Sequence, residues 1–334
     1  MTRPTGSRMK RRVVVIGGGH GQAQICRGIK HIPNIHISAI VTVADDGGST
    51  GRLRRQFNIP AMGDIRNVMI ALADKETLFS NLMNYRFDDP EGKGEDVAGH
   101  NLGNLILTAL TRQTGSFFDA VKELDDVLNV KGEIIPATTQ VITLYARMED
   151  NVIVAGEANI PHIDNHINRV FYMDEVHATD EAVDAIRRAD LIIYGIGSVY
   201  TSVLPNVIIP EIQDALYESK AEKVYFCNAM TQPGETDGYD MEAHVEALNK
   251  HGVQVDKVIM ANDRIPKKIR EHYEEEHQQV VRCSKRNHDY EVVKVPLLNF
   301  RDGLIRHDAA KIEKTVEALV DDLDKEKKCR SHQK

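Results

Sequence analysis

Apolar residues in this chain fall into short unbroken runs separated by stretches of helical spacing. The first run is Val13-Val14-Val15-Ile16. It is β-branched and shows no polar alternation, which predicts a strand buried on both faces of a parallel sheet. Glycines follow. Residues 22–30 then carry Ile25 and Ile29 at i, i+4, the spacing of a helix face, and Pro33-Asn34 ends it. Residues 35–43 form a second β-rich run. Strand, glycine turn, helix and strand make a βαβ unit. Such units cross over right-handed and bind ligands beyond the carboxyl ends of their strands.

Asp64 reads as an N-cap before Ile65, Val68, Met69 and Leu72, which share helical spacing. Residues 87–99 read as a polar loop, and 101–110 and 117–128 as helices. The pattern then changes: residues 141–148 and 152–160 are β-rich and predict an antiparallel hairpin. Helix and strand alternate again through 180–189, 191–194, 210–217, 223–227, 241–251 and 257–261. A last helix follows Asp308, with Ile312, Val316, Leu319 and Leu323 on one stripe. The fold class expected is α/β, a Rossmann-like parallel sheet with helices on both faces and an inserted helical and β-hairpin subdomain. The core is assigned to residues 11–75 and 180–323 and the insertion to 76–179. Residues 1–10 and 324–334 are expected to be flexible tails.

Composition narrows the function. The 334 residues carry a net charge of −8, with 42% hydrophobic and 28% charged residues. That balance argues against a general nucleic-acid binder but allows a local basic pocket. The four cysteines, Cys26, Cys227, Cys283 and Cys329, form no CxxC pair. No signal-peptide pattern and no bilayer-length apolar run are present, so the expected location is cytoplasmic, with no membrane insertion.

Candidate chemistry gathers where strands end. Gly17-Gly18-Gly19-His20-Gly21 joins the first strand to its helix. Helix N-termini present unpaired N–H groups, and glycines let a phosphate approach them, so Gly18, Gly19, His20 and Gly21 are candidate ligand contacts. A plain tight turn is the alternative, but three consecutive glycines exceed what turn geometry needs. The dinucleotide fingerprint is half met, because Gln22 stands where its third small residue belongs. Asp45-Asp46-Gly47-Gly48-Ser49-Thr50-Gly51-Arg52-Leu53-Arg54-Arg55 is richer, reading as a flexible turn with two acids, two hydroxyls and three arginines. Paired aspartates suit magnesium held with substrate phosphates, or can orient a nucleophile, and arginine forks suit phosphate. Asp45 and Asp46 are therefore candidate metal ligands, and catalytic residues if the protein is an enzyme. Ser49 and Arg52 are candidate ligand contacts.

His100 and Asn104 lie at i, i+4 near a helix start, able to face a ligand or simply to cap the helix. Ser198, Thr201 and Ser202 follow the strand at 191–194, and Asn228, Thr231 and Gln232 follow that at 223–227. Ordinary turn chemistry accounts for either group alone, but loops after parallel strands converge on one sheet edge. His162, Asp164 and His166 have metal-like spacing, yet Pro161 and Asn165 point to a loop with no shared helical face. Arg306 precedes the last helix and can reach an anion.

Together these segments resemble the YvcK branch of the CofD/YvcK family. The resemblance rests on Val15 through Gly21, the double-aspartate loop from Val43 to Arg54, Gly99-His100 with Gly103-Asn104-Leu105, residues 195–205 and 230–236, and Arg306-His307-Asp308. It covers residues 12–323. One departure is His20, where the family usually has threonine. The resemblance implies two activities. CofD proteins are 2-phospho-L-lactate transferases that use magnesium and a guanosine-diphosphate-linked donor. YvcK proteins bind UDP-N-acetylglucosamine and support cell-wall morphogenesis and growth on gluconeogenic carbon sources, without being established enzymes. On that basis the expected ligand is UDP-N-acetylglucosamine, with Tyr273 and Arg306 as sugar-nucleotide contacts, magnesium as a cofactor and no NAD. A bacterial homo-oligomer (a dimer) with an unknown regulatory protein partner is expected, binding no nucleic acid.

Overall fold

The computed structural model describes residues 10–74, 78–90, 92 and 96–332. Strand β1 (Arg11–Gly17), helix α1 (Gly19–Ile29) and strand β2 (Ile35–Val41) open the chain. Helices α2 (Gly48–Phe57), α3 (Gly63–Leu72), α4 (Leu78–Asn84), α5 (Leu102–Thr114) and α6 (Phe117–Leu128) precede strand β3 (Glu133–Pro136). Strands β4 (Tyr145–Met148), β5 (Ile153–Ala155) and β6 (Ile167–Phe171) follow, then α7 (Asp180–Arg188), β7 (Leu191–Tyr194), α8 (Leu204–Val207) and α9 (Pro210–Glu218). The remainder is β8 (Glu222–Phe226), α10 (Met241–Lys250), β9 (Lys257–Ala261), α11 (Lys267–Glu275), β10 (Glu291–Val295), β11 (Leu298–Asn299), β12 (Arg306–His307) and α12 (Ala309–His332).

Seven strands form one parallel sheet in the order β10-β9-β8-β7-β1-β2-β3. Val13 to Ile16 are at most 1% exposed, as expected of a strand covered on both faces. The chain runs outward from β1 through β2 to β3, then returns to β7 on the other side of β1. The boundary between β1 and β7 is thus the switch point where α/β sheets open a crevice. Helices flank the sheet: α1 packs against α3 and α12, and α7 against α9.

The structure departs from the sequence reading in four places. The segment 76–179 is not wholly an insertion, because β3 pairs with β2 as the last strand of the main sheet, Ser38 against Glu133 and Val41 against Pro136. Within that segment β4, β5 and β6 stand apart, as a three-stranded antiparallel sheet ordered β5-β4-β6. The expected second hairpin strand is cut short, since Glu157–His162 is a 3₁₀ turn. The double-aspartate loop is not a flexible turn beyond Gly48 but helix α2, whose Leu53 and Arg54 are buried. Finally, α12 continues to His332 instead of ending near 323. Most of the first expected tail, 1–10, lies outside the described residues. Among those described, no helix is long and apolar enough to cross a membrane.

Candidate functional site

The glycine turn sits at the switch point. Gly19 has φ +65°, a left-handed conformation that favours glycine. Gly18 offers α1 no side-chain cap, and the Asp64 carboxylate takes the Gly19 N–H, which leaves the next N–H groups of the first turn for an acceptor. A Cβ on Gly21 would stand 2.2 Å from the Ile196 carbonyl oxygen. The loop after β7 therefore rests directly on the first turn of α1, and only glycine permits it. Ser202 faces the same turn, its Oγ 4.0 Å from where a Gly19 Cβ would be. Gln22, at the fingerprint's third position, is buried and donates to the Val15 carbonyl at 3.0 Å and the Ile40 carbonyl at 2.8 Å. Its side chain occupies the space that dinucleotide folds keep for close helix–strand contact.

One side of the turn is acidic. Asp64 does not cap α3. Met62 holds the cap position, and Asp64 lies in the first turn with its carboxylate accepting the Gly19 N–H. Burial, with Asp45 nearby, lifts its pKa to about 7. Asp45 accepts the Gly47 N–H at 2.9 Å, and burial raises it as well. Glu157 arrives from the 3₁₀ turn after β5. Burial and then the charges of Asp45, Glu235, Asp64 and Asp46 lift it to about 8. Glu235 is lifted to about 7 by burial, even though the hydroxyls of Ser198 and Thr201 donate to it. Asp46 accepts the Ala158 N–H at 2.9 Å, which fastens the 3₁₀ turn to the second loop.

The other side is basic. A cleft of about 900 Å³ is lined by His20, Arg27, Asn67, Arg301 and Arg306 among others. Burial and the charges of Arg66, Arg27 and Arg306 hold His20 below the usual histidine range. The buried Arg66 donates to Asn104 Oδ1 at 2.6 Å and Asn67 Oδ1 at 2.7 Å. Burial and the facing Arg86 bring Arg66 down to about 10. Arg306 is exposed on the cleft wall. Tyr273 stands behind that wall, its hydroxyl accepting the Ile305 N–H at 3.0 Å.

Several predicted residues join one another rather than open space. His100 is buried, with Nδ1 2.8 Å from Ser49 Oγ, while Arg52 Nε donates to its Nε2 at 3.3 Å. The second contact makes Nδ1 the protonated nitrogen. Burial, Arg52 and Arg86 lower the His100 pKa. Arg52 also donates to the Ala98 carbonyl at 2.8 Å, so Ser49, Arg52 and His100 tie α2 to the start of α5. Thr231 pairs with Gln279 through both backbone and hydroxyl, each at 2.8 Å. Asn228 donates to Gln232 Oε1 at 3.2 Å and leaves its Oδ1 buried without a protein partner. Asp64, read only as a helix cap, and Arg66, Glu157, Glu235 and Arg27 were not among the predicted site residues. Charge within Asp64-Ile65-Arg66-Asn67 was a usable signal, because a helix start that alternates charged and buried apolar residues exceeds what a cap requires. Glu157 and Glu235 carried none, being set apart in sequence and joined only by folding.

The profile of the family described as 2-phospho-L-lactate transferase CofD matches residues 13–298. The chain is 45% identical to the gluconeogenesis factor of Bacillus subtilis over 324 residues, 95% of this chain and 99% of that protein. It is 42% identical to the gluconeogenesis factor of Listeria monocytogenes over 323 residues, 95% and 98% of the two chains. A crystal structure of a Bacillus halodurans protein superposes with a TM-score of 0.87 at 41% identity, covering 92% of this chain and 99% of that one.

Proposed function

This chain belongs to the CofD/YvcK family, beside its gluconeogenesis factors, and from that premise we propose that it is a regulatory protein that binds UDP-N-acetylglucosamine. The carrying observation is the cleft that opens directly off the glycine turn, with Arg27, Arg301 and Arg306 around it. The N–H groups that follow Gly19 in the first turn of α1 suit one phosphate, and the arginines suit the other and its sugar. Gln22 in the fingerprint's glycine position speaks against a nicotinamide dinucleotide. In this reading the protein senses the nucleotide sugar in the cytoplasm and acts on morphogenesis and growth on gluconeogenic carbon sources. Titration calorimetry should give saturable binding of UDP-N-acetylglucosamine, and Arg306→Ala should weaken it about tenfold, roughly 1.4 kcal/mol. No heat of binding at millimolar ligand overturns the proposal.

The acidic side favours a second reading, phosphotransfer of the CofD type. Magnesium uses few protein carboxylates and keeps water and phosphate ligands. Asp45 and Asp46, with Asp64 and Glu157 in range of their charges, would supply such carboxylates without forming a closed cage. When bound, magnesium would neutralise charge on the donor's diphosphate as its bridging P–O bond breaks and a nucleoside monophosphate leaves. Asp64 would hold the glycine turn through the Gly19 N–H while the arginines of the cleft orient the diphosphate. A magnesium-dependent transfer of phospholactate to a deazaflavin alcohol, abolished by Asp45→Asn, would establish this reading. Absence of turnover leaves the sensor alone.

A further inference from the structure

A second cluster of reactive side chains lies apart from the cleft, where the segment between α11 and β10 crosses α10. Glu242 belongs to the first turn of α10, while Cys283 and His288 belong to the crossing segment. His288 Nε2 is 2.8 Å from Glu242 Oε1, and Cys283 Sγ is 3.6 Å from the same oxygen. The three donor atoms all lie within 4.8 Å of one another, and among the described residues this is the one such group. The Glu242 and His288 side chains are 6% and 7% exposed.

We infer that Glu242, Cys283 and His288 form a zinc site with three protein ligands and a fourth position for water. The donor chemistry selects the ion: thiolate, imidazole and carboxylate together suit zinc, whereas magnesium and calcium take oxygen alone. The surroundings are already arranged for it. Ser284 N–H donates to Glu242 Oε2 at 3.0 Å and Lys285 N–H to Oε1 at 2.8 Å, which orients the carboxylate as outer-shell partners of a metal ligand do. The Tyr290 ring lies 5.0 Å from the His288 ring and limits its rotation. Binding converts the Cys283 thiol to a zinc thiolate and releases its proton to solvent, so affinity rises with pH.

The site would act as a staple. Met241 N–H donates to the Arg282 carbonyl at 2.9 Å and Val281 N–H to the Ala229 carbonyl at 3.0 Å. The segment that carries Cys283 therefore also holds the loop after β8, which bears Asn228 and Glu235. Zinc at Glu242, Cys283 and His288 would stiffen that loop without touching the nucleotide.

The test uses the full-length protein. Stripped with chelator and given zinc, it should retain about one equivalent per chain after desalting. Cobalt in place of zinc should show a thiolate-to-cobalt charge-transfer band in the near ultraviolet. Cys283→Ser should remove that band and lower zinc affinity tenfold or more, and His288→Gln should lower the affinity likewise. A cobalt complex of the wild type without a thiolate band, no retained zinc, or variants that bind zinc as tightly as the wild type would each overturn the inference. The wild-type cobalt spectrum decides the matter even if both variants misfold.

Discussion

Gly21 shows how one residue couples two loops. Its missing Cβ lets the Ile196 carbonyl sit on the first turn of α1, joining elements from either side of the switch point. Gly21→Ala should cost about 1–3 kcal/mol through overpacking against backbone and weaken nucleotide binding as the loops separate. A variant with unchanged melting temperature and affinity would refute the coupling. Asp125 makes a different residue-scale case. It lies on α6, accepts the Ile134 N–H of β3, and leaves Oδ1 buried without a protein partner. Burial lifts it to about 8, whereas in an unfolded chain it ionises near pH 4. Between those values the folded state holds a proton that the unfolded state has lost, so stability falls as pH rises. Asp125→Asn removes this dependence. Its stability relative to wild type should improve by about 1 kcal/mol or more from pH 5 to pH 8, as read by urea unfolding. A difference that stays flat with pH would contradict this account.

Among the elements, those with an apolar stripe or a buried run were legible. Strands β7 and β9 and helix α6 fall where spacing and β-branching place them, because burial on a defined face leaves a period in the sequence. α2 was hidden by glycines at its start and arginines along it. Its Arg54, one of the three arginines of that segment, is buried and donates to the carbonyls of Ala44, Asp45 and Ile142. That guanidinium fastens the double-aspartate loop to the segment before β4. Arg54→Met should therefore cost roughly 1.5–3 kcal/mol, since it strands three carbonyls, and should loosen the loop. Increased hydrogen exchange across residues 44–50 would support the clamp, and unaltered exchange would refute it. α11 was missed for the opposite reason: it buries no residue, so it has no apolar period to detect.

At the scale of the molecule, the parallel sheet brings loops from distant parts of the chain to one edge, and their charges act on stability together. Burial first holds His251 and His307 near 4, below the value of about 6.5 in an unfolded chain, so they add stability as pH rises to about 6.5. Asp64, Glu157 and Glu235, lifted to about 7 or 8, act in the opposite sense, and stability declines as pH rises toward those values. Above about pH 6.5 these two histidines add nothing more while the acids still act, so the melting temperature should fall from pH 6.5 to pH 8. A divalent cation among Asp45, Asp64 and Glu157 favours their ionised forms, so millimolar magnesium should flatten the fall. An equally steep decline with magnesium would argue against a cation there.

The sequence alone determined the parallel α/β architecture, the glycine turn, the double-aspartate segment and the family resemblance, because each is a local pattern: a two-sided apolar run, a backbone that needs glycine, a strand end rich in polar groups. Only the tertiary structure decided which charges meet. Asp64 turned from a helix cap into a buried partner of the glycine turn. Glu157 and Glu235, 78 residues apart, came within reach of each other's fields. Ser49, Arg52 and His100 closed on one another. Pairings of that kind depend on the order of strands in the sheet and on which loops cross its edge, and neither leaves a period along the chain.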